Sequence, residues 1–299
     1  MFDRCIQLIG SQLAARAGQF GPGVVPFEFD EDFAVSALDC ISNLCEGLKA
    51  TMEALVGPSP LPQLLVECCR EDPAATPDLE RAGFAVVGDL ARQCTGHLQP
   101  VLDELLRLGL QRLSPGAIDS YTVNACNNAA WALGELCLVL PPARVAPLAG
   151  TLAERLVFIL AHQQRGMSKS IVANAAISLG RLARLVAEPL APHLPQFGPY
   201  FCMALRGLDD DREKESAFEG LVRLARANPP ALIAEPMAFS MLCDACASWA
   251  QLPSQQLQRD LTELLQGCKA ALVSQAKWEG YTQRWSPGLR AKMQQAFGV

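Results

Sequence analysis

The sequence predicts an all-α chain of stacked helix pairs, and three observations carry that expectation. Sliding the chain on itself brings Gly134-Glu-Leu into register with Gly88-Asp-Leu, Gly180-Arg-Leu and Ser42-Asn-Leu, 46 residues apart each time. Every such unit holds two stretches with helical apolar spacing, separated by Pro, Gly or Ser. Half of the 299 residues are hydrophobic and only 19% are charged, enough apolar material for one continuous core. A constant period of this length with two helices per unit is the signature of HEAT-type repeats. The expected architecture is therefore an α-solenoid, a right-handed superhelix of about six antiparallel pairs with a closing helix.

Taken in order, residues 1 to 17 form an amphipathic helix with Ile6, Leu8, Ile9 and Leu13 inward. A Gly/Pro-rich acidic link leads to Asp30 and Asp32, either of which suits a helix N-cap. The next helix, 32 to 48, sets Asp32, Val35, Ser36, Asp39, Asn43 and Glu46 on one face, opposite Ala34, Leu38, Ile41 and Leu44. Pro60 and Pro62 open a helix over 61 to 70, and its partner spans 77 to 94. Residues 98 to 113 and 119 to 139 make a third pair around Ser114-Pro-Gly. Two more follow, 144 to 162 with 168 to 186 and 192 to 206 with 210 to 227, the last begun by an acidic run that suits a helix N-terminus. A sixth pair, 230 to 250 with 253 to 275, drifts from the period and becomes rich in glutamine. From 277 to 299 a short closing helix brings Trp278, Tyr281 and Trp285 to the end of the core. As one array the repeats run 1–48, 49–94, 97–139, 144–186, 189–227 and 229–275, with a cap at 277–299.

The most telling helix is the one from Asn124 to Glu135. At 100° per residue Asn124, Asn127, Asn128, Trp131 and Glu135 share a face, opposite Val123, Cys126, Ala130, Leu133 and Cys137. A tryptophan packed against the next helix would satisfy this wheel, and so would one on an exposed surface. The column to which it belongs favours the surface. Three residues before each landmark stand Asp39, Ala85, Trp131 and Ile177, whereas a column used only for packing would repeat similar apolar residues. Asn127, Asn128 and Asn174 each offer a donor and an acceptor to a peptide backbone. Val35, Trp131 and Ile177 offer apolar contact, and Asp32, Asp39, Glu46, Asp89 and Glu135 would attract lysines and arginines. These residues define a groove for an extended peptide.

Other chemistry is hard to find. With formal net charge −6 and no cluster of lysine or arginine, the chain is a poor nucleic-acid ligand but a reasonable partner for basic peptides. No run reaches the roughly 18 apolar residues that span a bilayer. Met1-Phe-Asp-Arg-Cys-Ile is not expected to be a cleavable leader. Twelve cysteines scattered over helical patterns read as reduced core residues, pointing to cytosol or nucleus. Cys243-Asp-Ala-Cys246 lacks a second ligand pair, and His97, His162 and His193 stand far in sequence from any partnered nucleophile. Neither an enzyme nor a cofactor or metal protein is expected.

Four stretches then carry a family resemblance. Cys126-Asn-Asn-Ala-Ala-Trp-Ala-Leu-Gly-Glu135, Phe84-Ala-Val-Val-Gly-Asp-Leu90, Asn174-Ala-Ala-Ile-Ser-Leu-Gly-Arg-Leu182 and Ala296-Phe-Gly-Val299 resemble the C-terminal HEAT repeats of the transportins, beta-type karyopherins of the importin-beta superfamily. The resemblance covers essentially the whole chain. It implies a nuclear import receptor that shuttles between cytoplasm and nucleus, with proline-tyrosine nuclear localization signals of cargo proteins, the small GTPase Ran and nucleoporins as partners. It places Trp131, Ile177 and Asp39 in the site for the signal's hydrophobic or basic part, with Asp89 and Asn127 beside them. Val35 and Ser36 stand where the family carries larger aliphatics, which implies a shallower pocket or a preference for basic signals. The Ran-binding arch, acidic release loop and proline-tyrosine pocket of that longer family have no counterpart here, so weak binding by this chain alone is expected. The alternative is a HEAT scaffold that assembles partner proteins without reading signal peptides.

Overall fold

The computed structural model describes residues 1–163 and 167–299, and among them no strand occurs. Contacts divide the chain into two compact units, Met1–Val139 and Leu140–Val299. Leaving aside the four-residue helical turns Glu53–Val56 and Ala187–Leu190, the helices of the first unit are α1 (Phe2–Arg16), α2 (Glu31–Leu48), α3 (Leu61–Cys68), α4 (Pro77–Cys94), α5 (Leu102–Arg112) and α6 (Val123–Val139). In the second they are α7 (Pro142–Ala161), α8 (Lys169–Leu185), α9 (Leu194–Arg206), α10 (Arg212–Ala227), α11 (Pro236–Ala247), α12 (Gln255–Ser274), α13 (Trp278–Thr282) and α14 (Pro287–Phe297). Both units are built from repeated helix pairs.

The predicted period reappears in the helix starts. The second helices α2, α4, α6 and α8 begin at 31, 77, 123 and 169, 46 residues apart, and α10 and α12 follow at 212 and 255, 43 apart. Side-chain caps fix most of these starts. Asp30 accepts from Asp32 N, Thr76 from Asp78 N, Asp211 from Glu213 N and Lys214 N, and Ser254 from Leu257 N. Before α6 the Asp119 carboxylate accepts from Tyr121 N and Thr122 N and turns the chain into the helix.

The first helices α1, α3, α5, α7 and α9 each pack against the second helix that follows, α11 packs on α9, α13 and α14, and consecutive second helices pack against one another: α2 on α4 and α4 on α6 in the first unit, α8 on α10 and α10 on α12 in the second. The cores are made of leucine, alanine and phenylalanine, with Phe84, Phe201, Phe218 and Phe239 among the largest fully buried side chains. Small residues allow close approach at one crossing in the second unit. A Cβ on Gly220 would lie 2.0 Å from the Gly180 carbonyl oxygen, and a Cβ on Gly180 would lie 2.4 Å from Ala217 Cα. Only glycine fits at either place. At the end of the second unit Trp278, Tyr281 and Trp285 surround Phe239 at ring separations of 6.1, 6.2 and 5.9 Å. The single closing helix of the sequence reading is two, α13 and α14, broken at residues 283–286.

Eleven of the twelve cysteines are buried, Cys40 is partly exposed, and all are free thiols. Burial pushes Cys45, Cys68 and Cys202 up to about 12, far from the thiolate that reacts or ligates. Cys243 and Cys246 are likewise raised well above the ordinary value by burial. Among the described residues no group of three or more ligand-type side chains is placed to hold a metal ion. No single described helix is long and apolar enough to cross a membrane; one pair, 169–185 with 187–206, qualifies only jointly and bends by 120°.

Candidate functional site in the first unit

The second helices of the first unit bring most of the expected site residues to adjacent elements: Val35, Asp39 and Glu46 on α2, Asp89 on α4, and Asn127, Asn128, Trp131 and Glu135 on α6. Asn174 and Ile177 belong to α8, in the second unit.

Trp131 is half-buried, and its ring rests against α4 at Gly88. A Cβ on Gly88 would stand 2.1 Å from Trp131 Cζ3, so the glycine of the repeat landmark exists here to seat the indole. One turn further along α4, the Arg92 guanidinium carbon lies 4.9 Å from the ring centroid, a cation–π contact. Arg92 Nε and an Arg92 NH2 nitrogen donate to Glu135 at 2.7 and 2.8 Å, so the guanidinium is fixed bidentately while it covers the ring. The indole is thus held by glycine beneath and by a neutralised arginine beside it.

The amides form a short chain next to the ring. Asn128 Nδ2 donates to the Arg81 carbonyl at 2.9 Å, and Asn127 Nδ2 donates to Asn128 Oδ1 at 3.1 Å. Both residues are half-buried. Asp39 on α2 pairs with an Arg81 NH1 nitrogen at 3.6 Å and keeps 48% of its side chain exposed. Glu46 is exposed and Val35 is half-buried.

Two of the five expected acids do not face solvent. Glu135 is 2% exposed because Arg92 clasps it, and Asp89 is 9% exposed beneath Ser42, whose Oγ donates to Asp89 Oδ2 at 2.5 Å. Burial holds the Asp89 carboxyl above its usual range, against the opposing pull of the Ser42 hydrogen bond and the Arg92 charge. Of the expected acids, those that face solvent are therefore all on α2: Asp32, Asp39 and Glu46. Ile177 is also buried, at 5% exposure, while Asn174 is half-buried. The helical wheel placed these residues correctly around their own helices but left out the neighbours that cover them.

Sequence reasoning overlooked Gly88 as the seat of the indole, and Arg92 and Arg81 altogether. Gly88 carried a signal, since it is the landmark of the repeat that precedes Trp131. Arg92 carried none, because its partners Trp131 and Glu135 lie on another helix.

The architecture and the site together define a helical-repeat protein of the HEAT and armadillo kind, whose second helices carry an aromatic platform edged by amides. Solved structures share this fold: a designed armadillo repeat protein matches with TM-score 0.59 and 16% identity over 88% of this chain and 99% of its own. An engineered protein matches with TM-score 0.60 and 13% identity over 90% and 96%. No protein-family model matches the chain. Sequence comparison is more specific. Transportin-1 of Oryza sativa subsp. japonica is 38% identical over 279 residues, 93% of this chain. Transportin-1 of Homo sapiens is 30% identical over 300 residues, the whole chain, and importin subunit beta-2 of Schizosaccharomyces pombe is 28% identical over 272 residues. By sequence the chain is a transportin homologue along its length. It spans about a third of these relatives, 30% of the rice protein and 32% of the human one.

Proposed function

We propose that this chain is a signal-binding part of a nuclear import receptor, taking nuclear localization signals of cargo proteins on the Trp131 face of the first unit and shuttling between cytoplasm and nucleus. The observation that carries the reading is the half-exposed Trp131 ring, seated on Gly88 and flanked by Asn127 and Asn128. A ring already fixed in place loses little freedom when a ligand covers it, and tryptophan is enriched among residues that dominate binding. Asparagine amides grip a peptide backbone without dictating its side chains. With Asp89 and Glu135 turned inward, attraction of basic residues falls to Asp32, Asp39 and Glu46 on α2. Those exposed charges individually contribute about 0 to 1 kcal/mol and are screened by salt, whereas truncating a ligand-covered Trp131 costs about 2 kcal/mol or more. Asn174 and Ile177 stand on α8 of the second unit, the amide half-buried and the isoleucine buried, and the proposed binding face does not draw on them.

Ran and a second signal epitope would engage parts of a longer receptor. Without a second contact the gain from bivalent engagement, roughly 10² to 10⁴-fold, is lost. A labelled basic-hydrophobic peptide titrated onto the chain is therefore expected to bind with micromolar or weaker affinity that falls as salt rises. The Trp131→Ala variant should abolish that binding with its circular dichroism unchanged. Undiminished binding by Trp131→Ala would overturn the proposal, and a protein partner that docks without altering Trp131 fluorescence would favour the scaffold reading.

A further inference from the structure

The glutamine-rich stretch after α11 has no part in the signal site, yet the second unit holds it with unusual care. Asp210, just ahead of α10, accepts from Ala250 N and from Lys214 Nζ, each at 2.7 Å. Lys214 is wholly buried and lies 4.5 Å from the centroid of the Trp249 ring, which also packs on Phe218 at 5.4 Å. Asp210 is thereby neutralised, and residues 248–254 form a fixed ledge between α11 and α12.

Two cavities share this ledge. One, about 510 Å³, is lined by Gln251, Pro253, Gln255 and Arg259; the other, about 420 Å³, is lined by Trp249, Lys292, Gln295 and Phe297. Leu252 and Gln258 belong to both walls. Neither wall contains a carboxylate, although the chain has 31 acidic residues against 25 basic ones. Gln251, Gln255, Gln295, Arg259 and Lys292 are exposed. Lys292 Nζ donates to the Trp249 carbonyl at 2.8 Å, which anchors the ammonium at the second cavity with two further protons to offer. The Trp249 side chain adds a separate signal. It is 97% buried, at 3% exposure, and its indole N–H has no acceptor among the described residues. That nitrogen is itself sealed from solvent, so the indole N–H reports on the packing of the ledge rather than contacting a ligand.

We propose that the two cavities form one docking groove for an extended acidic segment of a partner protein. The glutamine amides match the alternating donors and acceptors of an extended backbone, and Arg259 and Lys292 pair with its carboxylates. Leu252, Pro253 and Phe297 provide apolar contact between the charges. Selectivity comes from charge of the opposite sign to that on α2, so acidic and basic segments sort to different units of the chain.

The test is titration of a fluorescein-labelled peptide alternating glutamate with leucine and glycine onto the full chain, beside the same peptide with glutamine for every glutamate. The glutamate peptide should bind at least about tenfold more tightly, with affinity falling as salt rises. The double variant Arg259→Glu with Lys292→Glu should lose at least about tenfold in affinity, and Arg259→Glu alone, which leaves the Lys292 contact intact, should lose part of it. Trp131→Ala should bind the acidic peptide as the parent does, which separates this groove from the signal site. The Trp249 indole resonance should shift during the titration. Equal affinity for the two peptides, no binding up to about 1 mM, full binding by the folded double variant, or a stationary Trp249 indole resonance would each overturn the proposal.

Discussion

At position 88 the tryptophan on the neighbouring helix excludes any side chain. A Cβ there would lie within 2.1, 2.5 and 2.8 Å of three Trp131 ring atoms, and the ring is already confined by Arg92. Gly88→Ala should therefore destabilise the first unit by about 1 to 3 kcal/mol despite the better helix propensity of alanine, and displace the indole. Urea midpoints and a shift in tryptophan emission check both parts. One residue on, Asp89 makes the first unit sensitive to pH. Its folded-state carboxyl is held above the unfolded value, mainly by burial, so the native state binds the proton more tightly. The stability from this group is fully present below the ordinary carboxylate range and declines as pH rises through the raised value. Asp89→Asn keeps an acceptor for Ser42 and removes that decline. Urea midpoints of parent and variant should draw together near about pH 4 and separate toward neutrality in favour of the variant. Gly88 was marked as a repeat landmark, but what covers each of these side chains could not be read from one helix alone. The wheel of α6 gave the faces of Trp131 and Glu135, but the arginine that buries Glu135 sits 43 residues away on α4.

Among the helices, what could be read beforehand was whatever leaves a periodic or capping trace. The second helix of the second pair was expected at 77 to 94 and α4 spans Pro77–Cys94, because Thr76 caps it and proline opens it. Segments without such a trace were not foreseen. Residues 49–56 wind through a 3₁₀ turn and a one-turn helix from Lys49 at φ 50°, and residues 95–101 form a 3₁₀ helix between α4 and α5 after a break at Cys94. Their turns depend on the helices they join rather than on a repeating apolar pattern. The crossing of α8 and α10 was equally hidden, since a glycine inside a helix is ambiguous without its neighbour. Gly220→Ala should cost about 1 to 3 kcal/mol or more, because the obstruction is the Gly180 backbone and cannot rotate away. Gly267→Ala, on the exposed face of α12 with nothing within 4 Å, should instead stabilise by about 0.5 to 1 kcal/mol. Opposite shifts in the thermal midpoints of these two variants would confirm that the close crossing, rather than glycine in a helix as such, sets the requirement.

Over the whole chain, the transportin likeness reaches across both units while the signal-site geometry argued above rests on the first. Repetition made the fold legible: the landmark triplets named the register of the second helices, and binding residues could be proposed by comparing one column across repeats. Which members of that column meet solvent depended on packing between helices and had to be seen. The thiols carry one more consequence. Because eleven cysteines lie sealed in the cores and Cys40 alone is partly exposed, the chain has a built-in gauge of its own breathing. Treated with a small alkylating reagent in the absence of denaturant, it should gain one adduct promptly, at Cys40. Later adducts, counted by mass spectrometry, should then arrive at the pace at which individual helix pairs part, ranking the repeats by how readily each comes undone.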